Sequence, residues 1–319
     1  MQLRVLGTSD VKISPIVMGT WQAGKAMWAG IEDRETTAAM RAAFANGITA
    51  FDTAEVYGNG HSERILAAAT ADIRDRVVYA TKVFANHLKF DQVLKACDRS
   101  LKNLKTDYID LYQIHWPSGS FGSASVPLAE TMAAFNQLKE QGIIRAIGVC
   151  NFSLSQLEEA SAHGRIDSLQ PPYSLFWRHV EKDAMPYCIK NKITILAYAS
   201  LAQGLLTGKF GPHHQFAKGD HRARNRLFQS ENAQRVQTAL AKLRPIAARN
   251  GISLAQLALA WSTSRPATCA IAGARNASQA IENAHAADLI LSAADLAEMD
   301  KIGRLVTDHL DENPVMWNL

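Results

Sequence analysis

Four reactive side chains stand at or just beyond short apolar runs in the first 115 residues of the chain. Asp52 and Tyr57 follow residues 49–51, Lys82 follows 77–81 and His115 follows 109–114. A tyrosine near its reference pKa of about 10 exchanges protons poorly at neutral pH. An ammonium beside it stabilises the phenolate, and a carboxylate can hold that ammonium in place. A histidine alongside can orient a carbonyl or share its proton. This set suits protonation of an alkoxide as hydride arrives, with no metal required. Taken singly, each residue has a plainer reading: a loop tyrosine, a strand-end lysine with its structural ion-pair partner, a satisfied core histidine. What sets them apart is their recurrence at the same end of successive strands, because charged groups against apolar strands are costly unless paired or functional.

The elements that must position them alternate from end to end. Apolar or β-rich runs at 16–18, 49–51, 77–81, 109–114, 143–149, 168–170, 193–197 and 268–272 read as strands. Between them lie segments of helical period, such as Thr37, Met40 and Phe44 before Gly47, and Leu94, Cys97, Leu101 and Leu104 after Asp91. Pro127 opens another helix that Gly142 closes. Ser153 with Gln156, and Ser253 with Gln256, form capping boxes. Eight such units predict parallel strands closed into a (β/α)8 TIM barrel, one α/β domain spanning 1–319. An open doubly wound sheet would carry a glycine fingerprint in its first turn, which here reads Gly19-Thr20-Trp21. Further strand ends deliver Asn151, Gln170, Tyr198 and Arg275 to the same mouth. Trp21, Trp28 and Trp116 fall on the early loops, and Trp21 and Trp116 are the candidates to line an apolar substrate pocket.

Composition narrows the partners. The chain has 319 residues, 47% hydrophobic and 20% charged, with a net charge of +4, an ordinary globular balance that gives no basic stripe for nucleic acid. The one dense basic run, 218–226, reads either as a solvated loop or as a flap gripping a cofactor. No secretory leader and no apolar run of membrane length is present, so no membrane partner and a cytoplasmic location are expected. Cys97, Cys150, Cys188 and Cys269 are isolated and read as packing residues. Three motifs almost match and fail. The stretch 58–63 puts Glu63 where a dinucleotide fingerprint needs glycine. The stretch 204–210 is one residue short of a P-loop, and His213-His214 lack carboxylates at metal-ligand spacing.

In order along the chain, these stretches resemble the aldo-keto reductases: Phe51-Asp52-Thr53-Ala54-Glu55-Val56-Tyr57-Gly58, Ala80-Thr81-Lys82, Asp110-Leu111-Tyr112-Gln113-Ile114-His115-Trp116-Pro117, Ile147-Gly148-Val149-Cys150-Asn151-Phe152-Ser153, Tyr198-Ala199-Ser200-Leu201, and 273–283. The resemblance runs from Leu6 to Asn283, closest in look to bacterial members with a long insertion after strand seven, here 207–232. It implies NADP(H) lying across the barrel mouth and reduction of a small carbonyl substrate. Tyr57 would be the general acid, Lys82 and Asp52 its tuning pair, and His115 the carbonyl-orienting group. Asn151 and Gln170 would hold the nicotinamide carboxamide and Tyr198 would stack on the ring. Ser200, Leu201, Gly204, Leu205, Thr207 and Gly208 would follow the pyrophosphate. Gly273, Arg275, Gln279, Glu282 and Asn283 would surround the adenosine end. The lysine often found near Gly273 is absent, which leaves Arg275, with Arg222 or Arg226, to set cofactor preference. Two rivals are a cofactor-binding regulatory barrel with little turnover and a Schiff-base aldolase using Lys82. The second conflicts with Asp52, which should keep that lysine protonated.

Overall fold

The computed structural model describes residues 1–314 and 316. A short antiparallel hairpin, β1 (Arg4–Val5) and β2 (Lys12–Ile13), precedes the barrel. The barrel strands are β3 (Ile16–Gly19), β4 (Ala50–Asp52), β5 (Val78–Val83), β6 (Ile109–Ile114), β7 (Ile144–Cys150), β8 (Ser168–Gln170), β9 (Thr194–Ala197) and β10 (Thr268–Gly273). They are parallel and follow one another round the barrel in chain order, with β10 closing onto β3. The predicted strands therefore all form, with ends displaced by one or two residues.

Strand alternation divides the apolar residues into two cores. Val17, Ala50, Val78, Ala80, Leu111, Ala146, Leu196, Cys269 and Ile271 fill the barrel interior. Phe51, Tyr79, Tyr112 and Ile147 point outward into the layer shared with the helices. The hairpin adds Leu6, Val11 and Ile13 to the inner cluster. It is tied to the strand beginnings: Gly7 N–H donates to Thr194 Oγ1 at 2.8 Å, and the Arg4 guanidinium donates to the carbonyls of Thr268 and Thr263. The barrel thus has a sealed floor.

Ten α-helices are described: α1 (Asp33–Ala45), α2 (His61–Thr70), α3 (Phe90–Leu104), α4 (Leu128–Glu140), α5 (Leu154–His163), α6 (Ala184–Lys190), α7 (Ser230–Arg249), α8 (Leu254–Thr263), α9 (Ala277–His285) and α10 (Ala293–Thr307). Both capping boxes form as predicted, with Ser153 and Ser253 accepting from the N–H of Gln156 and Gln256. Two faces differ from expectation. In α3 the buried residues are Val93, Ala96, Cys97, Ser100 and Leu104, with Leu94 and Leu101 at the margin. In α1 the buried stripe is Thr36, Ala39, Met40 and Ala43, with Thr37 and Phe44 at its margin. Two of the four buried residues are small alanines, and α1 packs closely against α9. Among the described residues no helix is long and apolar enough to cross a membrane.

Candidate active site

Every catalytic candidate lies at the C-terminal end of the barrel, where side chains from different strands can meet. Asp52 ends β4, Lys82 lies near the end of β5 and His115 follows β6. Lys82 is fully buried, and its Nζ donates to Asp52 Oδ1 and to the Thr53 carbonyl, both at 2.6 Å. The same Nζ stands 5.1 Å from the Tyr57 ring centroid. The His115 ring meets that phenol edge-on at 5.7 Å between centroids. The structure brings together all four residues singled out in the sequence.

Tyr57 owes its place to backbone packing. Gly58 has φ +62°, and a Cβ there would stand 2.9 Å from Gly24 Cα; one on Gly24 would stand 2.6 Å from the Tyr57 carbonyl carbon. Two glycines are needed for the first loop and the tyrosine turn to touch. Gly60, at φ +78°, then starts α2. The glycines of the near-match at 58–63 therefore serve this turn. Below it, buried hydroxyls of Thr20, Thr53 and Ser62 hydrogen-bond one another at 2.8 and 2.9 Å. Glu55 is a contributor the sequence reading missed. Its carboxylate accepts from Phe84 N–H (2.8 Å), His87 Nδ1 (3.0 Å) and Arg99 (3.0 Å), which pins the tyrosine loop to the end of β5. Its signal was its position between Asp52 and Tyr57.

Aromatic rings flank the phenol and the imidazole. Trp21 lies roughly parallel to Tyr57 at 6.2 Å. Next to the imidazole, Phe84 meets His115 at 5.7 Å and Phe121 at 5.3 Å, and Phe121 meets Trp116 at 5.1 Å. Trp21 is next to the tyrosine, whereas Trp116 joins through Phe121. Neither phenylalanine was singled out in the sequence, since an isolated loop Phe carries no pattern.

Beyond the four, Asn151 takes φ +60°, donates to the His115 carbonyl (3.1 Å) and accepts from the Tyr198 hydroxyl (2.8 Å). Gln170 is buried and donates to Asp52 Oδ2 at 2.8 Å. Ser200 donates to the Ile271 carbonyl, and Thr207 to that of Gly204. Leu205 is buried and Leu201 half-buried, while Gly204 and Gly208 hold positive φ in the turn after β9. At the start of α9, Gln279 accepts from Arg275 N–H (2.9 Å) and Asn283 donates to the Gly273 carbonyl (3.2 Å). Glu282 accepts from Ser253 at 2.5 Å, joining α8 to α9.

The model of the Aldo/keto reductase family matches residues 15–304. The chain belongs to this family. As such it is an oxidoreductase. It is 38% identical over 291 residues to the aldo-keto reductase YhdN of Bacillus subtilis (strain 168), covering 88% of this chain and 86% of that one. It is 34% identical to the NADH-specific methylglyoxal reductase of Escherichia coli (strain K12), covering 92% and 96%. Among solved structures, the glycerol dehydrogenase of Gluconobacter oxydans superposes with a TM-score of 0.87 at 32% identity, covering 97% of each chain. An aldo-keto reductase from Klebsiella pneumoniae in complex with NADPH gives 0.77 at 30% identity over the full length of both.

Electrostatics in this aldo-keto reductase depart from the sequence expectation at the phenol. Burial raises the Tyr57 pKa more than the Lys82 ammonium lowers it, so the group is pushed up to about 12. Burial pulls Lys82 down, but Asp52 and Tyr57 carry it above its ordinary value, so it stays an ammonium. That disfavours Schiff-base chemistry, which needs the free amine. Burial and then Lys82 hold His115 well below the usual histidine range, and its Nδ1 has no partner. The basic segment is not simply solvated. His221 packs between Trp21 and Trp28, at 4.4 and 4.5 Å, and its Nδ1 bonds the Met27 carbonyl. Arg222 is buried in a two-bond pair with Asp220. Arg226 leaves the cluster suggested by sequence and binds Asp311 and the Asn313 carbonyl. Lys209 takes its place: desolvation, then Arg222 and Arg275, hold its pKa down. Desolvation and Arg222 likewise lower Arg275, whose Nη2 is buried without a partner.

Proposed function

We propose that the protein reduces an aldehyde or ketone to the alcohol, with NADPH as hydride donor and Tyr57 as general acid. The observation that carries this reading is the buried Asp52–Lys82 pair set against the phenol and a neutral imidazole, with aromatic rings around them. When bound, the cofactor supplies hydride to the carbonyl carbon. Tyr57, protonated at neutral pH, gives its proton to the oxygen that becomes negative. Lys82 stabilises the phenolate left behind, Asp52 keeps Lys82 charged, and neutral His115 orients the carbonyl oxygen.

The groove residues fit an anionic dinucleotide. Lys209, Arg222 and Arg275 crowd together, only Arg222 is paired with a carboxylate, that of Asp220, and the buried Arg275 Nη2 is left without a bond. Phosphate oxygens would relieve that repulsion. Asn151 and Gln170 would hold the carboxamide, Tyr198 the ring, and the turn 200–208 the pyrophosphate. Gly273, Arg275, Gln279, Glu282 and Asn283 would surround the adenosine.

Tyr57→Phe should cut carbonyl reduction by about 100- to 10,000-fold while leaving NADPH affinity unchanged. Retained turnover would remove Tyr57 from the acid role. Wild-type protein that binds NADPH tightly and yet oxidises none of it with any of a panel of aldehydes would overturn the reductase reading. Arg275→Ala should weaken NADPH more than NADH, measured as dissociation constants by fluorescence; equal losses would put cofactor choice elsewhere.

A further inference from the structure

Gln113 is a polar side chain inside the barrel, fully buried on β6, that the reaction above leaves without a task. Its Nε2 donates to Asp52 Oδ2 at 3.4 Å, and its Oε1 accepts from Gln170 Nε2 at 3.4 Å and from the Cys150 thiol at 3.7 Å. Gln170 Nε2 also donates to Asp52 Oδ2, at 2.8 Å. An amide nitrogen has two hydrogens, and here both are taken, one by Asp52 and one by Gln113. The group left on the Gln170 amide is Oε1, a pure acceptor.

The neighbouring strand makes room for this arrangement. A Cβ on Gly148 of β7 would stand 2.9 Å from Gln113 Cγ and 3.2 Å from its Oε1. Glycine at that position leaves the space that the Gln113 amide shares with the Ser168 hydroxyl, which such a Cβ would also meet. Burying an amide in a barrel core otherwise costs stability, and a hydrophobic residue would fill the site without that cost. The geometry points to Gln113 as a positioning residue that fixes which end of the Gln170 amide faces the nicotinamide carboxamide. It sets an acceptor, not a donor, at that contact. Because Asp52 anchors both glutamines and Lys82, the cofactor seat and the proton donor's counter-charge share one set of hydrogen bonds.

This inference rests on Gln170 holding the carboxamide, and the experiment separates the two ideas. NADPH dissociation constants and kcat are measured for Gln113→Met, Gln170→Met and the double variant, with thermal midpoints to verify folding. Gln113→Met should weaken NADPH by about 3- to 10-fold, the worth of one hydrogen bond. Added to Gln170→Met it should do almost nothing further, because the two act as one unit. Unchanged affinity in Gln113→Met, or losses that multiply in the double variant, would overturn the inference while leaving the reductase reading intact. Unchanged affinity in Gln170→Met would overturn the assignment of the carboxamide seat and this inference with it. Should Gln113→Met not fold, Gln113→Asn keeps the amide but withdraws it by one methylene, and the same affinity loss is expected.

Discussion

Tyr57 holds its proton at neutral pH because burial of the phenol outweighs the ammonium of Lys82. That state is what a proton donor needs, and the sign of the pH dependence follows. A group titrating near 12 stays protonated through the neutral range. Reduction should therefore not fall between about pH 7 and 9 on account of this group, whereas alcohol oxidation, which needs the phenolate, should climb with pH. Steady-state rates in both directions check this. Comparing the ultraviolet phenolate signal of wild type with Tyr57→Phe should show the difference appearing only near pH 12; a component below 10 would mean that the ammonium dominates after all. Lys82→Met removes the one strong influence pulling the phenol down. Its reduction rate should fall by at least about 100-fold, with the Tyr57 signal moved higher still. The four reactive residues were legible in the sequence because reactive and charged side chains recurring at the ends of successive apolar strands are conspicuous. Gln113 was not, since a lone glutamine within an apolar strand gives no hint that it joins Asp52 and Gln170 across the barrel.

The contact between the first loop and the tyrosine turn decides where the phenol sits. Gly24→Ala would drive a methyl group to within 2.6 Å of the Tyr57 backbone. The expected result is a fall in kcat of about 10-fold or more, since sub-ångström displacement of a reacting group is costly, with NADPH affinity unchanged. Single-turnover and binding measurements distinguish that from a folding defect. Glycines read as turn formers in sequence, but that two of them lie back to back is a property of the assembled barrel. Helix starts were legible at Ser153 and Ser253 because a capping box is local, with partners three residues apart. The buried face of α1 was misread because Ala39 and Ala43 pack tightly yet carry little hydrophobic signal. The segment around His221 was the least legible, because Trp21 and Trp28, nearly two hundred residues earlier, give it its conformation.

The whole molecule is a barrel with its interior filled by small and branched residues, its top polar and its floor closed by the β1–β2 hairpin. Strand–helix alternation made that architecture readable from end to end; the hairpin's task as a floor was not, because four paired residues carry no pattern of their own. Leu6 is fully buried beneath the barrel, so Leu6→Ala should cost about 2–5 kcal/mol in denaturant unfolding and leave the kinetic constants of the surviving folded protein unchanged. A loss below 1 kcal/mol would mean that the hairpin merely rests on the barrel. A plugged base has a kinetic corollary. On the proposed reading both cofactor and carbonyl would come and go by the same open end, and Gln170, which would greet the nicotinamide, is buried where Tyr57 is only half-buried. The dinucleotide would then be first in and last out, so a saturating dose of the alcohol should detain spent dinucleotide inside, slowing its exchange against fresh reductant.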